Sequence, residues 1–284
     1  MQRTRPWRTF SHFTDVGGGV LSAGMSYQAL FAVFAGIWVG FGVFSIQLVS
    51  RPELLQSLIE QINVFIPGLI GENGVVDAEV LLRTGHAVNW VSVLAGASLL
   101  WVMINWFTGT RRAIRIIFGL DVKQYRSALL LKLRDLALAL LFGVAILVSA
   151  ALTLISSNLT EAVFSWLHWD RHYWLLSTVG GLIRYGAVFV FDLVVLMAIH
   201  RFLAEVRVPL WRLMRGCGLG ALALLSLKVL GTAVIGGTTS NPLLATFAVF
   251  VGILIWFNLI CRVLLLTASW IATGGDKALG LPSA

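Results

Sequence analysis

Apolar residues in this chain fall into long unbroken runs. Six of them, residues 19–49, 88–107, 133–156, 177–203, 213–235 and 243–273, reach the roughly 20 residues that an α-helix needs to cross a hydrocarbon core of about 30 Å. The runs are continuous, whereas the strands of a membrane barrel are short and alternate between apolar and polar positions. The pattern predicts an all-α polytopic membrane protein, with six transmembrane helices in a single membrane domain over residues 1–284. The first and last runs exceed the core thickness, which predicts tilt or interfacial ends.

Two connecting segments have a helical rhythm. In "RPELLQSLIEQINVFIPGLI", Leu54, Leu55, Leu58, Ile62, Phe65 and Ile66 recur at helical spacing. This predicts a short amphipathic helix on the outer face, ending near Pro67, inside an outer loop of residues 50–87. "NLTEAVFSWLHWDRHYW" carries Trp166, Trp169, Tyr173 and Trp174, residues suited to a headgroup belt. Both segments read first as lid and anchor, and second as an outer vestibule.

Charge orients the spans. A basic N-terminal segment, residues 1–18, holds Arg3, Arg5 and Arg8. A basic loop, residues 108–132, holds Arg111, Arg112, Arg115, Lys123, Arg126 and Lys132, with Arg134 just beyond it, and Arg201, Arg207, Arg212 and Arg215 cluster around the end of the fourth run and the start of the fifth. The outer loop instead carries Glu53, Glu60, Glu72, Asp77 and Glu79. Positive charge therefore alternates from side to side, which places both termini, with the tail of residues 274–284, in the cytoplasm. Composition agrees. The chain is 58% hydrophobic and 12% charged, with net charge +8, against about 25% charged residues in a soluble domain.

Soluble catalytic patterns are missing. There is no phosphate-binding Gly-rich loop and no nucleophile elbow, and the five histidines are scattered. His168 and His172 share a helical spacing but lack a third ligand for a metal. Cys217 and Cys261 sit in apolar runs and read as packing residues. The expectation is no enzyme, no cofactor, no metal and no nucleic acid, because topology and anionic inner-leaflet lipid account for the basic loop. Gly216-xxx-Gly220 and Gly36-xxx-Gly40 predict close helix approach, within the chain rather than between copies.

The candidate chemistry lies in charges inside the apolar runs. Arg184 and Asp192 lie in the fourth run, Lys228 in the fifth and Arg262 in the sixth. A lone cation costs roughly 2.5–3.5 kcal/mol at a helix centre even on insertion scales. Counted from the run ends, Asp192 and Arg262 share a depth and are expected to pair as a gate. Arg184 and Lys228 share the outer half and are expected to receive an anionic headgroup. Tyr27 and Gln28 are expected to line the path. The competing reading is purely structural: Lys228 snorkels, Arg184 reaches the interface, and Asp192–Arg262 fixes register.

Several segments resemble the YihY/BrkB family of bacterial inner-membrane proteins. "SYQALFAVFAGI" is similar to its first-helix signature through Tyr27, Ala29, Leu30 and Phe34, with Gln28 in place of a second Tyr and Ala35 in place of a Pro. "INWFTGTRRAIRIIFGL", "HRFLAEVRVPLWRLMRGCGLGALALLSLK" and "LIWFNLICRVLLLTAS" resemble later segments, although Thr267-Ala268-Ser269 stand where the family has Gly-Ala-Glu. The resemblance implies six helices in a bacterial plasma membrane, with cytoplasmic termini. It also implies a role in envelope integrity or lipid transport. The combined expectation is a transporter or flippase of an anionic lipid or amphiphile, with membrane lipids and anionic headgroups as partners. The alternatives are a non-transporting envelope-integrity scaffold and a small-anion exporter. A homo-oligomer or an envelope protein partner stays open. Loss of the Pro predicts an unbroken first helix.

Overall fold

The computed structural model describes residues 4–65, 69–71, 90–121, 130–138, 140–141, 144, 173–235 and 242–274. The chain opens on a helix that the reading of residues 1–18 as a plain basic segment did not foresee. Helix α1 (Arg5–Asp15) has Pro at its start, where a missing N–H costs nothing. Its buried face is Thr9 and Phe13, while Trp7 and Phe10 point away from the protein. Gly17 ends it in the left-handed region, at φ 73°, a conformation open to glycine without strain. Gly18 then lies so close to Phe13 that an added Cβ would sit 2.3 Å from its ring.

Helix α2 (Gly18–Ser50) runs unbroken through Ala35, as the absence of Pro predicts. Helix α3 (Pro52–Phe65) follows at once. It is amphipathic as expected. However, its apolar stripe packs on protein instead of lying free on the outer face. Leu58 belongs to one buried cluster with Ala29 and Ile37 of α2 and with Ile253, Trp256 and Phe257 further along the chain. The polar residues Glu53, Gln56 and Glu60 stay exposed. Asn63 closes this cap: its Nδ2 donates to the Ile70 carbonyl at 2.7 Å, and its Oδ1 accepts from the Ile70 N–H at 3.1 Å.

Helix α4 (Trp90–Ile117) continues ten residues past the expected span end at Phe107. The first part of the supposed 108–132 loop is therefore helical, because "TGTRRAIRII" keeps apolar residues on one face: Ala113, Ile114 and Ile117 are all buried. Gly119, at φ 63°, terminates it, with the Leu120 N–H returning to the Arg115 carbonyl, a Schellman closure. Helix α5 is described over residues 130–138. The remainder of the expected third span, the "NLTEAVF" segment and most of the 66–89 stretch lie outside the described residues.

Helix α6 (Tyr173–Ala198) passes directly into a π-helical turn (Ile199–Leu203). After a connection over residues 204–209, α7 (Leu210–Ile235) begins, and α8 (Pro242–Thr273) closes the fold. Among the described residues, four helices hold apolar windows long enough to cross a membrane: Gly18–Ala35 of α2, Tyr185–Leu203 of α6 with the π-turn, Leu210–Leu230 of α7 and Val251–Thr273 of α8. Helix α8 is the hub, packing on α1, α2, α4 and α7, while α2 packs on α4 and α6 on α7.

Glycine sets these spacings. A Cβ at Gly220 of α7 would sit 2.3 Å from Thr267 Oγ1 of α8, and one at Gly216 would sit 2.3 Å from Ile271. The Gly216-xxx-Gly220 pair thus serves packing within the chain, as expected. Similarly, Gly109 of α4 meets Gln28 of α2, whose Oε1 would be 2.5 Å from an added Cβ. The buried core at these seams includes Leu213, Cys217, Ala221, Leu265 and Ala268.

Candidate functional site

Two buried polar clusters stand out against this apolar frame. The first lies between α6 and α7. Lys228 Nζ donates to both carboxylate oxygens of Asp192, at 2.7 and 2.8 Å. Asp192 is 4% exposed and Lys228 8%, so water is largely excluded from the pair. Leu196, Ala221 and Leu224 pack around the same seam.

This corrects the expected pairing. Asp192 meets Lys228 and not Arg262, which is exposed on α8. The reason is geometric. At 1.5 Å per residue, Asp192 lies about 9 Å from the end of α6, while Lys228 lies about 27 Å from the start of α7. Equal counts from the helix ends therefore do not mean equal depth. The π-turn and the connection of residues 204–209 lie between the two helices, and the four-carbon lysine stem reaches the carboxylate. Lys228 is thus neutralised by a carboxylate and is not a surplus cation.

The other expected site residues divide. Arg184 lies on α6, eight residues before Asp192, and its side chain falls outside the described residues. Tyr27 is exposed and makes an edge-to-face contact with Phe31, with ring centroids 4.9 Å apart. Gln28, next to it, is turned toward Gly109. The structure therefore brings Asp192 and Lys228 together, and does not join Tyr27, Gln28 or Arg262 to them by any contact among the described residues.

The second cluster lies at the end of the bundle that gathers α1, the end of α4, α5 and the π-turn. Arg111 of α4 donates from Nη1 to Asp135 Oδ1 and Oδ2 at 2.7 and 3.0 Å, and Thr108 donates to Oδ2 at 2.8 Å. Asp135 is fully buried and Arg111 is 5% exposed. Burial pushes the Arg111 guanidinium below its ordinary range; Asp135 pulls it back, while Arg134 and Arg112 add repulsion. The next base along α5, Arg134, pairs with Glu205 and donates from Nη2 to the Leu203 carbonyl. Arg115 donates to the carbonyls of Asp121 and Ala204.

These arginines explain how the π-turn persists. Its wide ring is closed by the Ala204 N–H to the Ile199 carbonyl at 2.9 Å. The carbonyls of Leu203 and Ala204, left at the helix end, are taken by Arg134 and Arg115. Glu205 adopts φ 56°, a conformation uncommon for a residue with a Cβ, and its ion pair holds it there. Helix α1 is tied to the same end. Ser269 donates to the Thr9 carbonyl at 2.8 Å, His12 donates to the Ile117 carbonyl at 2.8 Å, and Arg5 stacks on Trp270.

Sequence reasoning missed Asp135. The signal was present: an acid at the start of an apolar run, within reach of a basic helix end. It lies inside the third apolar run, and the charges weighed there were those of the fourth, fifth and sixth runs. Among the described residues, no group of His, Cys, Asp and Glu is arranged to hold a metal.

A helical bundle with apolar spans, one strongly basic end and a buried ion pair between two spans defines an integral membrane protein. The chain belongs to the virulence factor BrkB family, whose model matches residues 9–280. It is similar to the inner membrane protein YhjD of Escherichia coli strain K12, 24% identical over 280 residues, covering 95% of this chain and 80% of that protein. It is also 24% identical over 280 residues to an uncharacterized protein of Dickeya dadantii strain 3937, covering 95% of this chain and 83% of that one. No solved structure matches.

Proposed function

We propose that this protein moves an anionic lipid or amphiphile across the bacterial plasma membrane, using six spans with both termini in the cytoplasm. The observation that carries this reading is the Lys228–Asp192 pair. Ionisable residues in membrane spans are costly and mark substrate paths by default, and a buried pair is weak as a source of stability. In this reading the pair is a lock. The anionic headgroup competes with Asp192 for Lys228, so opening the seam between α6 and α7 exchanges one anion for another at the same ammonium. Arg184, eight residues from Asp192 on α6, and the exposed Arg262 of α8 are the further cations of these spans. Tyr27 and Gln28 border the route along α2. The basic end, with Arg111, Arg112, Arg115, Arg134 and Arg201, faces the cytoplasm, as the positive-inside rule directs.

The inner-membrane naming of the Escherichia coli relative is consistent with the proposed membrane. The test is a reconstitution in liposomes carrying fluorescent phosphatidylglycerol or phosphatidylcholine, with a membrane-impermeant quencher reporting the outer leaflet. The expected result is fast inward and outward movement of the anionic probe only, lost on Lys228→Gln and reduced on Arg262→Leu. Arg262 is exposed, so its replacement leaves the fold intact and separates path from packing. No movement of either probe, together with a fixed envelope protein recovered by cross-linking, would replace this reading with a scaffold. Flux of chloride or phosphate without lipid movement would replace it with a small-anion exporter.

A further inference from the structure

Helix α1 closes the basic end of the bundle, and its place there is fixed by contacts with α8 and α4 and by the turn into α2. The Ser269 hydroxyl of α8 donates to the Thr9 carbonyl, the Thr9 and Thr273 hydroxyls lie 3.2 Å apart, and Arg5 lies over the Trp270 ring at 4.4 Å. His12 reaches the Ile117 carbonyl at the end of α4. Only Val16 and Gly17 separate α1 from α2, whose apolar window opens at Gly18, and the window of α8 closes at Thr273. A helix held where one apolar span begins and another ends lies at the level of the membrane surface.

At about 100° per residue, α1 divides into three sectors. Arg5, Thr9, His12 and Phe13 form the face turned to the bundle, and Thr9 and Phe13 are buried. Trp7, Phe10 and Thr14 lie together on one flank, within about 60° of each other. All three are exposed, the two aromatic side chains by more than half. Arg8, Ser11 and Asp15 take the other flank, which is polar throughout, and the Ser11 hydroxyl donates to Asp15 along it at 3.3 Å. A helix in the plane of a membrane surface needs these three sectors: one for protein, one for the acyl boundary and one for water.

Lipid-facing residues begin at the same level on neighbouring helices. Val20, the third residue of α2, is exposed within its span. Leu210, Trp211 and Met214 are exposed at the start of α7, where Arg215 lies over the Trp211 ring at 4.3 Å. Gly216, packed on Ile271, sets that start beside the end of α8. Tryptophan at this depth is the mark of the interfacial belt. Charge agrees, because Arg5, Arg8, Arg112, Arg201, Arg207 and Arg215 are all exposed at this end, and a leaflet with anionic headgroups complements them. A second protein fits poorly. The two aromatic side chains offer about 150–250 Å² each, short of the roughly 800 Å² per partner that a specific interface buries.

We propose that α1 is an in-plane membrane anchor. Trp7 and Phe10 seat between the headgroups and acyl chains of the leaflet at the basic end, an anionic one, while Arg8, Ser11 and Asp15 face water. The lipid surface they hold is tied through Thr9 and Arg5 to the last turns of α8, the hub of the bundle. The anchor stands whether or not the chain transports lipid.

The test uses the full chain in nanodiscs of phosphatidylcholine mixed with phosphatidylglycerol. Trp7→Cys, Phe10→Cys and Asp15→Cys are spin-labelled separately, with one label per chain showing that the buried Cys217 and Cys261 stay unreacted. Collision with oxygen, which concentrates in lipid, is compared with collision with a water-soluble nickel chelate. The labels at positions 7 and 10 should favour oxygen and lie about 5–10 Å below the headgroup surface, and the label at position 15 should favour nickel. Labels at 7 and 10 that favour nickel as position 15 does would put the aromatic flank in water and overturn the anchor. Labels at 7 and 10 shielded from both reagents would put protein on that flank and overturn it equally. The unsubstituted chain gives the second arm. Hydrogen exchange over residues 5–15 should be at least about threefold slower in the mixed nanodiscs than in phosphatidylcholine alone. Equal rates would refute the anionic leaflet as the occupant.

Discussion

Removal of one partner of the Lys228–Asp192 pair gives a sharp test of how that pair is built. At 2.7–2.8 Å and an effective dielectric of about 20, the attraction is about 6 kcal/mol before desolvation is subtracted. Asp192→Ala removes it and leaves an ammonium that is 8% exposed without its counter-ion. Breaking a buried pair in this way costs roughly 3–5 kcal/mol. At about 2–4 °C per kcal/mol for a chain of a few hundred residues, the melting temperature should fall by roughly 10 °C. Lys228→Ala should cost about the same. The double variant Asp192→Leu/Lys228→Met removes both charges and keeps the volume, so it should melt within about 1 kcal/mol of the wild type or above it. The assay is thermal unfolding in nanodiscs, followed by intrinsic fluorescence and by the monodisperse peak on gel filtration. If the single variants melt with the wild type, the two groups are not buried against each other and the argument fails at its base. If the double variant melts normally and also moves lipid at the wild-type rate, the pair is structural and the lock is wrong.

Other perturbations follow from contacts at the helix seams. Gly220→Val would drive a side chain into Thr267 and Leu196, whose atoms lie 2.3 and 3.0 Å from the first added carbon; it should cost about 1–3 kcal/mol by thermal unfolding, with partial recovery on Thr267→Ala. Arg111→Met leaves Asp135 fully buried without its guanidinium and should cost about 3–5 kcal/mol, whereas Asp135→Asn, which keeps an acceptor for Thr108, should cost less in the same assay. Ser269→Ala removes the donor to the Thr9 carbonyl; at about 1 kcal/mol per bond, hydrogen exchange over residues 5–15 should speed up about fivefold while the spans stay protected.

The spans were legible because they answer to the coarsest constraint in the chain, the thickness of the lipid core. α2, α6, α7 and α8 begin and end within a few residues of the runs read from hydropathy, the π-turn included in the fourth. The glycine pair at Gly216 and Gly220 was legible for a related reason, since small residues one turn apart can only favour close approach. Helix α1 was not, because its pattern of Thr9 and Phe13 against Trp7 and Phe10 is too short to distinguish from a basic tail. Its partners, Ser269 and Trp270, lie some 260 residues away. The continuation of α4 was hidden by its own arginines, which look like loop charges until Asp135 and the π-turn carbonyls are seen to receive them.

Pairing was the deeper failure, and it has a physical origin. Sequence gives distance along each helix from its ends, but the vertical offset between neighbours is set by the connection. Between α6 and α7 that connection is five residues of π-turn and residues 204–209, and it sets Lys228 level with Asp192 while Arg262 is left exposed on α8. The same turn is pinned by Arg134 and Arg115, which take the carbonyls of Leu203 and Ala204. The basic cluster at one end and the ion pair further up share one continuous stretch of helix. A shift of the π-turn toward ordinary α-helix, with its foot held, would move Asp192 by about 1.5 Å along the axis and about 100° around it. A rotation of that size would take the carboxylate off the α7 seam altogether.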